Sequence, residues 1–142
     1  MANYTIKQFH STVDEWIKAA ENNLFEVVKI ACSDIHRDLV MNSPVDTGRF
    51  RGNWQITYNH MPLYALNQYD KEGAKTIAEG QRVLNLFGKG SGITTIYFSN
   101  MLIYANALEY GHSKQAPAGV LGIVAVRLRS YFAKAVREAR AK

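Results

Sequence analysis

Residues 43–54 read Ser43-Pro-Val-Asp-Thr-Gly-Arg-Phe-Arg-Gly-Asn-Trp54, and the chain changes character across them. Upstream, apolar residues recur at helical spacing; downstream, they alternate as in a strand. Pro44 stops the helix, because proline lacks a backbone N–H and disfavours helical dihedrals at the residue before it. Asp46 and Thr47 are short oxygen-bearing side chains that bond nearby backbone, and Gly48 after them is free to take positive φ. Arg49 and Arg51 follow; in an extended chain they share one face and Phe50 takes the other. The stretch is expected to be a rigid corner carrying two cations, with Trp54 opening a strand beyond it.

Asp-Thr-Gly is also the nucleophile triplet of aspartic proteases, where two aspartates share a proton. That chemistry needs the triplet after an apolar strand inside a β-barrel. Here it follows a helix, Ser43 and Pro44, precedes Arg49, and occurs once. A structural turn is the better reading. Asp46 is expected to accept hydrogen bonds from the backbone N–H groups of residues 47–49 rather than to act chemically.

Working back from the corner, residues 11–42 place Val13, Trp16, Ile17, Ala20, Leu24, Val27, Val28, Ala31, Ile35 and Leu39 at three- and four-residue steps. This predicts a long helix with Ser11 as N-cap and Asp14 and Glu15 at the positive end of its dipole. The apolar stripe is wide enough to require a sheet or a neighbouring chain against it. Asp34, His36 and Asp38 resemble a ligand trio, but only Asp34 and Asp38 share a face, and His36 lies nearly opposite. A solvated polar face is expected there, not a metal site. Cys32, the single cysteine, excludes an intrachain disulfide and falls on the core-facing side, where a buried thiol is expected.

Working forward, Trp54, Ile56 and Tyr58 alternate with Asn53, Gln55 and Thr57, which predicts a strand with one aromatic face. Residues 63–70 are irregular. A weaker helical pattern runs through residues 70–87, interrupted by Gly73 and Gly80. Gly88, Lys89, Gly90, Ser91 and Gly92 suggest a phosphate cradle, but they follow a helix and open a strand, the reverse of the phosphate-binding order. A flexible connector is expected. Residues 94–99 read as a second strand, 101–110 as a short helix stopped by Gly111, and 120–142 as a final helix. That helix carries Arg127, Arg129, Lys134, Arg137, Arg140 and Lys142 against Glu138.

The length of 142 residues and 47% hydrophobic content suit one domain with a modest core. No signal peptide or bilayer-spanning run is present, so the chain is expected to fold in a cytoplasm. Net charge +5 and pI near 9.4 permit an anionic partner without requiring one. His10, His36, His60 and His112 stand apart without motif partners, so an enzyme is not expected.

Two blocks together resemble a known family. The corner at residues 43–54, then Tyr104-Ala-Asn-Ala-Leu-Glu-Tyr-Gly-His112 and a proline-bearing loop into a last helix, is similar to the tail-component family of tailed bacteriophages (tail-completion, neck or minor tail proteins). The resemblance implies an α+β fold, a small β-sheet flanked by a long N-terminal helix and a C-terminal helix. It implies a structural protein of the virion, without catalysis or cofactor, assembled in a host cytoplasm. Its expected partners are further copies in a homo-oligomeric ring and the phage's other neck, connector and tail-tube proteins, with no membrane. DNA would pass through the lumen without specific binding, and Arg127, Arg137 and Arg140 would face neighbouring proteins. The rival reading is a DNA-binding module that uses the basic last helix.

The pairing of the two blocks further suggests contact in space, within a subunit or across a ring interface. Arg49 or Arg51 is expected to bond Glu109, or the carbonyls that end its helix near Tyr110 and Gly111. The stripe through Trp16, Leu24 and Val28 and the face of Trp54 and Tyr58 are expected to divide between core and subunit interface.

Overall fold

Helix α1 (Leu24–Met41) is the axis of the fold: the helices at residues 74–84, 121–126 and 128–141 and the strand at 54–58 all pack on it. The computed structural model describes residues 13, 24–88, 90–109 and 119–141. Of the earlier half of the expected first helix, Val13 alone is described and is helical; Ser11, Asp14 and Trp16 lie outside the described residues. Within α1 the periodic residues Val27, Val28, Ala31, Cys32, Ile35 and Leu39 are buried, as the spacing predicts. The helix stops where the sequence says it should. Asn42 bonds the Asp38 carbonyl through both its backbone N–H and its side chain, and Pro44 forbids a further turn.

The corner then departs from expectation. Residues 49–51 are not extended: Phe50 is helical, with φ −65° and ψ −50°, and Arg51–Asn53 form one 3₁₀ turn. Arg49 and Arg51 therefore do not alternate with Phe50 across a strand. Two strands follow, β1 (Trp54–Tyr58) and β2 (Ile96–Asn100), paired antiparallel with Trp54 opposite Asn100 and Tyr58 opposite Ile96. Strand β2 starts later than residue 94 because Asn59 Oδ1 accepts from the Thr94 and Thr95 N–H groups, which takes them out of the ladder.

Helix α2 (Ala74–Leu84) lies between the strands in sequence, and a short α3 (Ala105–Glu109) follows them. The expected final helix is two helices, α4 (Leu121–Val126) and α5 (Leu128–Ala141). The break at Arg127 (φ −95°, ψ 6°) involves neither proline nor glycine. Its N–H bonds Val124 at three-residue spacing, a tightened last turn. The change of direction lets both pieces lie against α1.

Helices α1 and α5 run antiparallel: Tyr131 donates to Asp38, and Lys134 pairs with Asp34. Between them the core closes on Phe132, Ala135, Val136 and Ala139, all buried. Each large apolar side chain buried here contributes roughly 1.5–3 kcal/mol. Trp54 and Ile56 turn inward from β1, and the Tyr58 hydroxyl donates to the Val83 carbonyl. The described residues of the expected core-or-interface set, Leu24, Val28, Trp54 and Tyr58, all belong to this packing. The result is the α+β arrangement expected, a two-stranded sheet flanked by an N-terminal and a C-terminal helix. No helix among the described residues is long and apolar enough to cross a membrane.

Candidate functional site

Gly48 is the tightest point of the corner. Its φ is +86°, and a Cβ there would lie 2.4 Å from the Lys71 nitrogen and 2.7 Å from the Asp70 carbonyl carbon. Only a residue without a side chain lets residues 70–71 come this close. The Gly48 carbonyl accepts from the Gly52 and Asp70 N–H groups, each at 2.9 Å. The turn is therefore half of a junction whose other half is residues 66–76.

Asp70 organises that second half. Its buried carboxylate accepts from the Gly73 N–H, the Thr76 N–H and the Thr76 hydroxyl, capping α2. Burial alone would raise its pKa. The Thr76 and Gly73 hydrogen bonds, with Lys75 nearby, outweigh burial and hold the carboxyl below its usual range. Asn53, fully buried, donates to the Arg49 carbonyl at 2.6 Å and accepts from the Leu66 N–H at 2.6 Å. Gln68 donates to the Gly52 carbonyl and to the Thr76 hydroxyl.

Arg51 reaches the opposite way. Nη2 donates to the Met41 and Ser43 carbonyls at 3.1 and 3.0 Å, and Nη1 to the Lys71 carbonyl at 2.9 Å. It places a cation on the carbonyl-rich end of α1, where the helix dipole is negative. Trp54 Nε1 donates to the Ser43 hydroxyl at 2.7 Å, and that hydroxyl donates to the Leu39 carbonyl. One arginine, one serine and one tryptophan thus tie helix end, corner and strand together.

Within the chain, these contacts take the place of the expected pairing of Arg49 or Arg51 with Glu109. The bonds Arg51 makes are to carbonyls of residues 41, 43 and 71. Glu109 is equally committed: its carboxylate accepts from the Val120, Leu121 and Gly122 N–H groups at 3.0, 2.7 and 2.9 Å. Both prefer a helix end, where several backbone groups lack partners, to one another. Tyr110 and Gly111 lie outside the described residues. The turn bond expected of Asp46 is made by Thr47, whose hydroxyl accepts from the Arg49 N–H, while Asp46 is exposed.

The two blocks nevertheless meet. Asn100 Nδ2 donates to the Phe50 carbonyl at 2.9 Å, and the rings of Phe50 and Tyr104 lie 6.4 Å apart. A groove of about 270 Å³ runs between them, lined by Pro44, Phe50, Tyr104 and Leu108, with Asp46 and Arg49 among its polar residues. Arg49 is half-buried, and its Nε is enclosed without a hydrogen-bond partner.

Asp34, His36 and Asp38 do diverge as their spacing predicts. However, His36 is not on a solvated face. It is buried against α2, where a Cβ on Gly80 would lie 2.3 Å from its ring. Nε2 sits 3.0 Å from the Thr76 carbonyl, so Nε2 carries the proton, since a carbonyl only accepts. Burial lowers its pKa despite that bond and keeps the ring neutral. Cys32 is fully buried, and desolvation pushes its thiol far above the ordinary range. No group of three His, Cys, Asp or Glu side chains among the described residues could hold a metal ion.

Asp70, Asn53, Gln68 and Ser43 escaped the sequence reading. Asp70 left a signal, an aspartate shortly before a helical run, which is N-cap chemistry. Asn53 and Gln68 left none, because their partners are backbone groups distant in sequence. The side chains of this junction direct their donors and acceptors at backbone and at one another, so what it does chemically is clamp: it holds a rigid turn beside an open groove. No protein-family model, no curated protein and no solved structure matches this chain.

Proposed function

We propose that this chain is a structural protein of a phage head–tail interface, a neck or tail-completion subunit acting as one copy in a ring. The observation that supports the reading is the meeting of its two blocks. The corner and the second block, far apart in sequence, share a groove through Tyr104 and Leu108 and the Phe50–Tyr104 contact. A turn clamped this heavily, with its polar groups spent on backbone, suits a subunit that presents a fixed shape to neighbours. The proposed ring carries DNA through its lumen without holding it, and Arg127, Arg137 and Arg140 contact neighbouring proteins.

The test is genetic and visual. A phage lacking this gene is expected to accumulate filled heads and separate tails, and electron microscopy of its wild-type particles to show a ring of this protein at the neck. Joined, infectious particles without the protein would sink the proposal. The DNA-binding alternative makes the opposite forecast in solution: nanomolar affinity for duplex DNA at physiological salt, with a steep salt dependence carried by the exposed arginines of α5.

A further inference from the structure

Residues 61–69 read Met61-Pro-Leu-Tyr-Ala-Leu-Asn-Gln-Tyr69, nine residues without a charge. They form neither helix nor strand, yet the β1 side pins them. Gln55 donates to the Tyr64 carbonyl, Asn53 accepts from the Leu66 N–H, and Gln68 donates to the Gly52 carbonyl. The backbone of this strap is held while its apolar side chains point to water: Leu63 is 80% exposed, Tyr64 78%, and Met61 and Tyr69 more than half.

Aromatic side chains bury about 150–250 Å² each, so the strap exposes on the order of 500 Å² of apolar side chain. That matches the largest patch of an ordinary monomer and is most of the roughly 800 Å² that one partner gives to a stable interface. Because the strap is already ordered, docking it costs little further conformational entropy.

We propose that the strap is the surface by which one copy of this chain docks on a second copy, at the Ile103–Tyr104 corner and the groove beneath it. The proposal deepens the ring reading and rests on it for its geometry. Ile103 is 99% exposed and follows β2, whereas the strap runs beside β1. Two different surfaces on two sides of one ribbon make a head-to-tail contact, the kind that closes into a ring. The apolar lining of Pro44, Phe50 and Leu108 offers Leu63 and Tyr64 a place to bury. Charge does not oppose a second copy at this surface. Each copy carries +5, so approach through basic faces is repulsive, and the strap carries none of that charge. A lipid surface fits less well, since anionic membranes select apolar loops flanked by lysine and arginine clusters. The strap is flanked by Asn59 and His60 on one side and Asp70, Lys71 and Glu72 on the other.

The experiment uses the purified full chain in sizing chromatography with light scattering. The wild type is expected to elute as a multimer. Leu63→Asp with Tyr64→Asp, and separately Ile103→Asp, are expected to elute as monomers with far-UV circular dichroism spectra matching wild type. Mixing a Leu63→Cys chain with an Ile103→Cys chain should give a cross-linked dimer with a short bis-maleimide, and neither chain alone should do so. Cys32 is buried and stays silent. A wild type that is monomeric at every concentration, or strap variants that assemble like wild type, would overturn the proposal. So would wild type that floats with phosphatidylglycerol–phosphatidylcholine vesicles as a monomer and loses flotation in the double variant. Strap-dependent assembly by a protein missing from virions would remove the neck reading and leave the docking surface standing. A virion ring indifferent to the strap variants would do the reverse.

Discussion

Gly48 and Gly90 hold nearly the same backbone dihedral, φ +86° and +80°, in opposite surroundings. Around Gly48 a Cβ would run into the backbone of Asp70 and Lys71; around Gly90 nothing lies within 4 Å. Both glycines relieve left-handed strain, but only Gly48 also makes room for a second segment of chain. The difference is between a turn that merely reverses direction and one into which another turn is built. The glycine loop is not without order: Asn59, itself at φ 64°, donates to the Gly92 carbonyl and accepts from Thr94 and Thr95. Among the described residues, the side chain that anchors it from outside the loop is the exposed Asn59, whereas the corner's anchors are many and mostly buried or half-buried.

The sharpest way to break the comparison is to add one methyl group to each turn. Gly48→Ala meets both left-handed strain and a backbone collision, together costing about 2–5 kcal/mol. Chemical denaturation should show that loss, and a variant as stable as wild type would mean that the junction is not tight.

Next comes Asp70→Ala, which removes the cap of α2 and strands buried N–H groups, at a cost of about 2–4 kcal/mol. The same carboxylate gives a pH signature. Its folded pKa is lowered, so its contribution is full above the unfolded value near 3.8 and is lost as pH falls through the folded one. His36 is lowered too, so its neutral burial begins to cost stability as pH falls below about 6.5. A melting-temperature profile should decline in two stages on acidification. His36→Gln should remove the upper stage and leave the lower.

Arg51→Ala should cost about 1–3 kcal/mol, because the Met41 and Ser43 carbonyls at the end of α1 and the Lys71 carbonyl lose a charged donor. Arg51→Lys should recover only part of it, since an ammonium cannot span the same fork. A full recovery would show that charge at the helix end matters and geometry does not. The smallest effect belongs to Gly90→Ala, with strain alone and open space for the methyl group, about 1 kcal/mol. If Gly90→Ala matched Gly48→Ala in a denaturation series, dihedral strain would account for both turns and enclosure for neither.

Much of the fold was legible before any coordinates. The stripe of α1, its stop before Pro44, the alternation of Trp54, Ile56 and Tyr58, and the burial of Cys32 follow from periodicity and local chemistry. The site was legible only in part. Gly48 announced a turn and the two blocks announced a meeting, yet Glu109 was one of the partners expected for Arg49 or Arg51, and within the chain Arg51 and Glu109 each serve a helix end instead. The strap was read as irregular, which it is, but its exposed apolar side chains carried no signal. Hydrophobic residues in a loop look the same in sequence whether they face core or water.

The division follows the range of the forces. Sequence by itself determined what is decided within a few residues: helix periodicity, proline stops, strand alternation, and the need for glycine at a left-handed turn. Tertiary structure alone decided which unsatisfied backbone group each buried polar side chain would find. Asn53 meets Leu66, Gln68 meets Gly52, and Arg51 meets Met41 only once the chain has folded back on itself. Many carbonyls and N–H groups are chemically equivalent as partners, and proximity in the folded chain selects among them.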